Sequence, residues 1–121
     1  MIGYATIGSN DLEKAKAFYD TVLSPLGGQR AFGSDRMQGY SSPAGAMLAV
    51  CRPYDEQPAS PGNGAMIALA AASRDLVDEV HKTALANGGS CEGPPGERMP
   101  NFYGAYFRDL DGNKLCVFKM G

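Results

Sequence analysis

The chain has 121 residues and a mass of 12.7 kDa, enough for one domain around one core, with a net charge of -2 and a pI near 5.3. No Lys/Arg run is long enough to track a phosphate backbone, and no window supplies the roughly 18 consecutive apolar residues of a membrane helix, so neither nucleic acid nor membrane is an expected partner. The 3 cysteines lack the spacing of a disulfide framework, and the N-terminus has neither the basic start nor the apolar middle of a signal peptide; a cytoplasmic protein with reduced thiols is expected.

Ile2–Gly8, with β-branched Ile2, Thr6 and Ile7, reads as a strand. Asp11 caps a helix that carries Leu12, Ala15, Phe18, Tyr19, Val22, Leu23 and Leu26 on one face. Pro25 falls in its last turn, and Gly27-Gly28 ends it. Gln29–Gly33, Met37–Ser41 and Ala46–Arg52 are predicted strands separated by turns, and Pro53–Gly64 is an aperiodic linker. Ala65–Ala72 is the next strand. Ser73 caps a second helix with Leu76, Val77, Val80, Ala84 and Leu85 on one face, stopped by Asn87-Gly88-Gly89. Ser90–Glu92 reads as a short strand and Gly93–Pro100 as a Pro/Gly loop. The strands around Tyr103–Phe107 and Leu115–Phe118 form a closing hairpin, with Gly112 supplying the positive φ of its turn.

The order strand, helix, three strands occurs twice. A shift of 62 positions superposes Tyr4 on Met66, Asp11 on Ser73, Phe18 on Val80 and Gly27 on Gly89. A shift of 67 superposes Leu48 on Leu115, Ala49 on Cys116 and Val50 on Val117. The difference is an insertion placed in the Gly93–Pro100 loop. The expected fold is α+β: two tandem βαβββ modules, 1–53 and 64–121 with linker 54–63, forming a curled mixed sheet around a cup with the helices outside. Period-two alternation sends Ala5, Ile7, Leu48, Val50, Ile67, Leu69, Leu115 and Val117 under the helices, and Tyr4, Thr6, Met47, Ala49, Met66, Ala68, Ala70, Lys114, Cys116 and Phe118 into the cup. An apolar concavity with a few polar groups is a default ligand site.

Three segments carry a family resemblance: Ser9–Tyr19, Ala71–Asp78 with His81 and Gly88-Gly89, and Arg108-Asp-Leu-Asp-Gly-Asn113, which resembles an RDPDGN turn with Leu110 in place of Pro. On these residues the chain resembles the vicinal oxygen chelate superfamily of glyoxalase I, extradiol dioxygenases, and fosfomycin- and bleomycin-resistance proteins. The resemblance implies a divalent metal in the cup, held by His or Glu from the first and last strands of each half, and a homodimer. Here those positions are Tyr4, Ala49, Met66 and Cys116. Alanine cannot ligate, methionine is a soft donor, and Tyr and Cys ligate only as anions, so no metal cofactor is expected.

The cup candidates are therefore ligand-binding ones: Tyr4, Met47, Ala49, Met66, Tyr103, Cys116 and Phe118, with Arg98 as a fork donor for an anion. Tyr103 and Tyr106 alternate, so at most one of them lines the cup. His81 superposes on Tyr19, on a helix outside the cup. Asp109 and Asp111 belong to the turn, where their carboxylates cap backbone groups. The leading expectation is metal-independent binding of a small, partly apolar molecule. The alternatives are a lactoylglutathione-lyase-like lyase or dioxygenase with an atypical site, and a non-catalytic dimeric interaction protein with a filled cup.

Overall fold

The computed structural model describes residues 1–121. Strand β1 (Tyr4–Gly8) leads into helix α1 (Leu12–Val22), followed by β2 (Gln29–Gly33), β3 (Met37–Ser41) and β4 (Met47–Cys51). After the linker the pattern repeats as β5 (Ile67–Ala70), α2 (Arg74–Ala86), β6 (Ser90–Met99), β7 (Phe102–Arg108) and β8 (Lys114–Met120). The strands form two four-stranded mixed sheets, ordered β1-β4-β3-β2 and β5-β8-β7-β6. In each, the first strand runs parallel to the last, as a helical crossover requires, and the remaining pairs are antiparallel. Both modules thus have the same topology, and the expected fold class holds.

The helix starts are equivalent. Asp11 Oδ1 accepts from Lys14 N at 3.2 Å, and Ser73 Oγ accepts from Leu76 N at 3.2 Å. Each satisfies one of the otherwise unpaired N–H groups of a first turn. Helix α1 ends at Val22, earlier than the sequence pattern suggests. Pro25 has no N–H to continue the ladder, and Ser24–Leu26 tightens into a 3-10 turn closed by Gly27 at φ 78°.

The largest departure lies in β6. The Pro/Gly segment expected to be a loop continues the strand to Met99, with register shifts around Gly93, Gly96 and Glu97–Met99. Bulges and an edge position are where a sheet accepts Pro94 and Pro95, because neither needs to donate to a neighbour there.

Leu48 and Val50 of the first sheet and Ala105, Phe107, Leu115 and Val117 of the second pack with both helices into one core. The module junction is polar as well as apolar. Tyr19 Oη on α1 donates to Asp109 Oδ2 at 2.6 Å, Asn113 Nδ2 donates to the Gly8 carbonyl at 2.9 Å, and Asn10 N donates to Asp111 Oδ1 at 2.8 Å. Asp109 Oδ1 also accepts from the backbone N–H groups of Asp111 and Asn113, both at 2.9 Å, so it caps the β7–β8 turn as expected. Burial first, then the Asp109 charge, pushes the Tyr19 hydroxyl well above its ordinary pKa, which keeps it a donor.

No strand of one sheet is hydrogen-bonded to a strand of the other; contacts of α1, α2 and the 3-10 turn join the modules. The sheets are curled but not closed. The helix-bearing faces meet in the shared core, so each concave face is the side of its sheet remote from that core.

Candidate functional site

Pairing register assigns each side chain to a face. On the first sheet the concave face carries Tyr4, Thr6, Met37, Met47, Ala49 and Cys51, paired as Tyr4↔Met47, Thr6↔Ala49 and Met37↔Cys51. Gly39, opposite Ala49, has no side chain, and the Phe32 ring lies over it; a Cβ there would come within 2.3 Å of the ring. This face is mostly apolar and carries no charged side chain among these residues, and Tyr4 at its edge is 59% exposed.

The concave face of the second sheet differs. Lys114, Cys116 and Phe118 on β8 pair with Arg108, Tyr106 and Gly104 on β7. Phe102 and Phe118 stack with ring centroids 5.4 Å apart. Arg98 lies 5.4 Å and Lys114 Nζ 5.6 Å from the Tyr106 ring centroid, within cation–π range. Arg108 Nε donates to Glu92 Oε1 at 2.8 Å. Cys116 sits among these groups and is buried. Burial raises its thiol pKa, while Tyr106, Arg98 and Lys114 pull the other way without overcoming it. Burial thus favours the neutral thiol over the thiolate that a nucleophile requires.

Most of the sequence-predicted residues lie on these two concave faces. Tyr4, Met47 and Ala49 are on the first; Cys116, Phe118 and Arg98 are on the second; Met66 is exposed just before β5. Tyr103 is the exception. It pairs with Lys119 on the helix side, donates to Asp78 Oδ1 of α2 at 2.6 Å, and stacks under Arg74. Alternation separates Tyr103 from Tyr106, and the β7–β8 register gives the concave face to Tyr106. Lys114, Arg108 and Glu92 complete that face. Strand alternation in β8 indicates Lys114, but Glu92 and Arg98 come together only because β6 runs on past Glu92. His81 is buried on α2, with Nε2 3.3 Å from Cys91 Sγ, away from either concave face; burial lowers its pKa and the Asp78 charge partly opposes this.

The sequence profile of the Glyoxalase/Bleomycin resistance protein/Dioxygenase superfamily matches residues 1–117. The chain belongs to this superfamily. Its fold is similar to a glyoxalase/bleomycin resistance protein from Albidiferax ferrireducens T118, at 40% identity and TM-score 0.91 over 98% of this chain and 97% of that one. A family enzyme from Burkholderia phytofirmans PsJN shares the fold at 17% identity and TM-score 0.80, over 98% of each chain. So does a lactoylglutathione lyase from Agrobacterium tumefaciens, at 21% identity and TM-score 0.72, over 98% of this chain and 92% of that one. No curated protein matches the chain.

The donor set does not fit the superfamily's divalent metal. Of the four first- and last-strand positions, Ala49 has no donor, Met66 offers a thioether, Cys116 is a single buried thiol, and Tyr4 stands at an exposed edge. No cluster of three or more His, Cys, Asp or Glu side chains is placed to hold a metal anywhere in the chain. A zinc or iron centre takes three or four such ligands.

Proposed function

We propose that this superfamily member binds a small, partly apolar organic molecule in its cup without a metal ion, as a single domain working in the cytoplasm. One observation carries the reading: the positions that bear ligands in the superfamily hold Tyr4, Ala49, Met66 and Cys116, while the apolar lining of Met47, Ala49, Cys116 and Phe118 is retained. Such a surface binds by packing and a few hydrogen bonds.

A second copy of the chain completes the cup. Tyr4, Phe32, Met66, Met99 and Met120 are exposed. The accessible surface is 6795 Å², above the roughly 6,200 Å² of a monomeric protein of this mass. A two-fold contact would set the first sheet of one copy against the second sheet of the other. Sedimentation is expected to give twice the chain mass of 12.7 kDa; a monomer at all concentrations contradicts the two-copy cup.

Superfamily membership alone supports the alternative of a lyase or dioxygenase with an atypical site. Thermal denaturation with added Ni(II), Zn(II), Mn(II) or Fe(II) separates the two. A bound metal stabilises the native state by mass action, so metal-independent binding predicts an unchanged Tm with all four. A saturable rise with any one of them favours the enzyme.

A further inference from the structure

The charge on the second sheet's concave face is unlike that of the chain. The protein carries a net charge of -2, yet this face holds Arg98, Lys114 and Arg108 against the single carboxylate Glu92. Glu92 is taken by Arg108, so Arg98 and Lys114 have no acidic partner. They approach Tyr106 from the strands on either side of β7, and only the ring's quadrupole and the Pro94 carbonyl, which accepts from Arg98, offset their charge.

Two glycines leave room for Arg98. A Cβ at Gly93 would lie 3.1 Å from Arg98 Nη2, and one at Gly96 would lie 2.7 Å from Nη1. Side chains at these two positions of the bulged strand would crowd the guanidinium. Further along the same face, Gly104 lies opposite Phe118, which stacks on Phe102. The Tyr106–Cys116 pair and the Gly104–Phe118 pair are two residues apart, about 7 Å along the strands. A cationic end and an aromatic end are thus separated by a small ring's length, with the neutral Cys116 thiol between them.

We infer that this face takes an organic anion with an apolar, ring-bearing body, its carboxylate or phosphonate seated at Arg98 and Lys114 beside Tyr106 and its body lying over Cys116 toward Phe118. This rests on the proposed cup-binding function and names its ligand class. Arg98 supplies a planar fork that matches a carboxylate, and Lys114 supplies a point charge. The apolar face of the partner copy's first sheet would close over the body and leave the anion as the polar determinant.

Three matched probes test this: trans-cinnamate, cinnamamide and cinnamylamine, which share a body and differ in charge, titrated into the full chain with amide chemical shifts as the readout. Cinnamate is expected to bind about tenfold more tightly than cinnamamide. R98Q and K114Q are each expected to remove most of that preference, and R98K to recover part of it. Wild-type amide dispersion and Tm in the variants exclude misfolding as the cause. Equal affinity for cinnamate and cinnamamide, a preference for cinnamylamine, or cinnamate binding unchanged in both variants overturns the anion assignment and leaves cup binding standing. No shift at Tyr106, Cys116 or Phe118 with any probe overturns both.

Discussion

The two modules share one topology and differ on both of their faces. On the helix side, Leu115 is fully buried under α2, whereas its counterpart Leu48 borders an open crevice of about 200 Å³ between the modules, shared with Leu23, Leu26 and Leu69. Helix α2 packs along β6, β7 and β8 of its own sheet; α1 is divided between β4 and α2. On the concave side, the first sheet is uncharged and the second carries three cations. The duplicated topology therefore constrains strand order, caps and core positions, while side chains facing away from the core are free to diverge. The second module carries the more deeply packed helix side and the charged concave face.

Truncation on the helix side tests the first difference most strongly. Leu115→Ala is expected to cost about 3–5 kcal/mol and Leu48→Ala about 2 kcal/mol, because the latter site already opens on a crevice. Equal losses by urea denaturation would show that both modules are packed alike. The junction comes next. Asp109→Ala leaves Tyr19 Oη and two backbone N–H groups without their acceptor, and about 3 kcal/mol of destabilisation is expected. A loss under 1 kcal/mol would mean that the network does not join the modules.

The cysteines provide a smaller contrast. Cys91 is exposed beside His81, and Cys116 is buried with a raised pKa. Iodoacetamide followed by peptide mass spectrometry should label Cys91 at least tenfold faster at pH 7. Equal labelling would place Cys116 in an open, activated position. The smallest effect is at the rim of the first module. Arg30, then Tyr40, holds the Asp20 carboxyl below its ordinary value. The resulting stability is present above about pH 4 and is lost as pH falls through the lower folded-state pKa. Asp20 is partly solvent-screened, so Asp20→Asn should flatten this acid limb by less than about 1 kcal/mol.

Strand alternation and helix caps made the modules legible in the sequence, because Asp11, Ser73 and the Leu48/Leu115 and Val50/Val117 positions obey local rules. Pro94-Pro95 hid the second half of β6, since proline signals a loop unless a bulged edge accommodates it. That in turn hid the meeting of Arg98 with Tyr106. Alternation separated Tyr103 from Tyr106 but could not assign either to a face without the β7–β8 register. The relation between the two sheets was not legible at all: a pattern within a strand says which face a side chain joins, not what lies opposite that face.

A cup that works without a metal should leave the purified protein free of stoichiometric metal, which elemental analysis measures. Inductively coupled plasma mass spectrometry on protein prepared without chelators is predicted to find Ni, Zn, Mn and Fe far below one ion per chain. A stoichiometric divalent ion that survives dialysis would contradict the account.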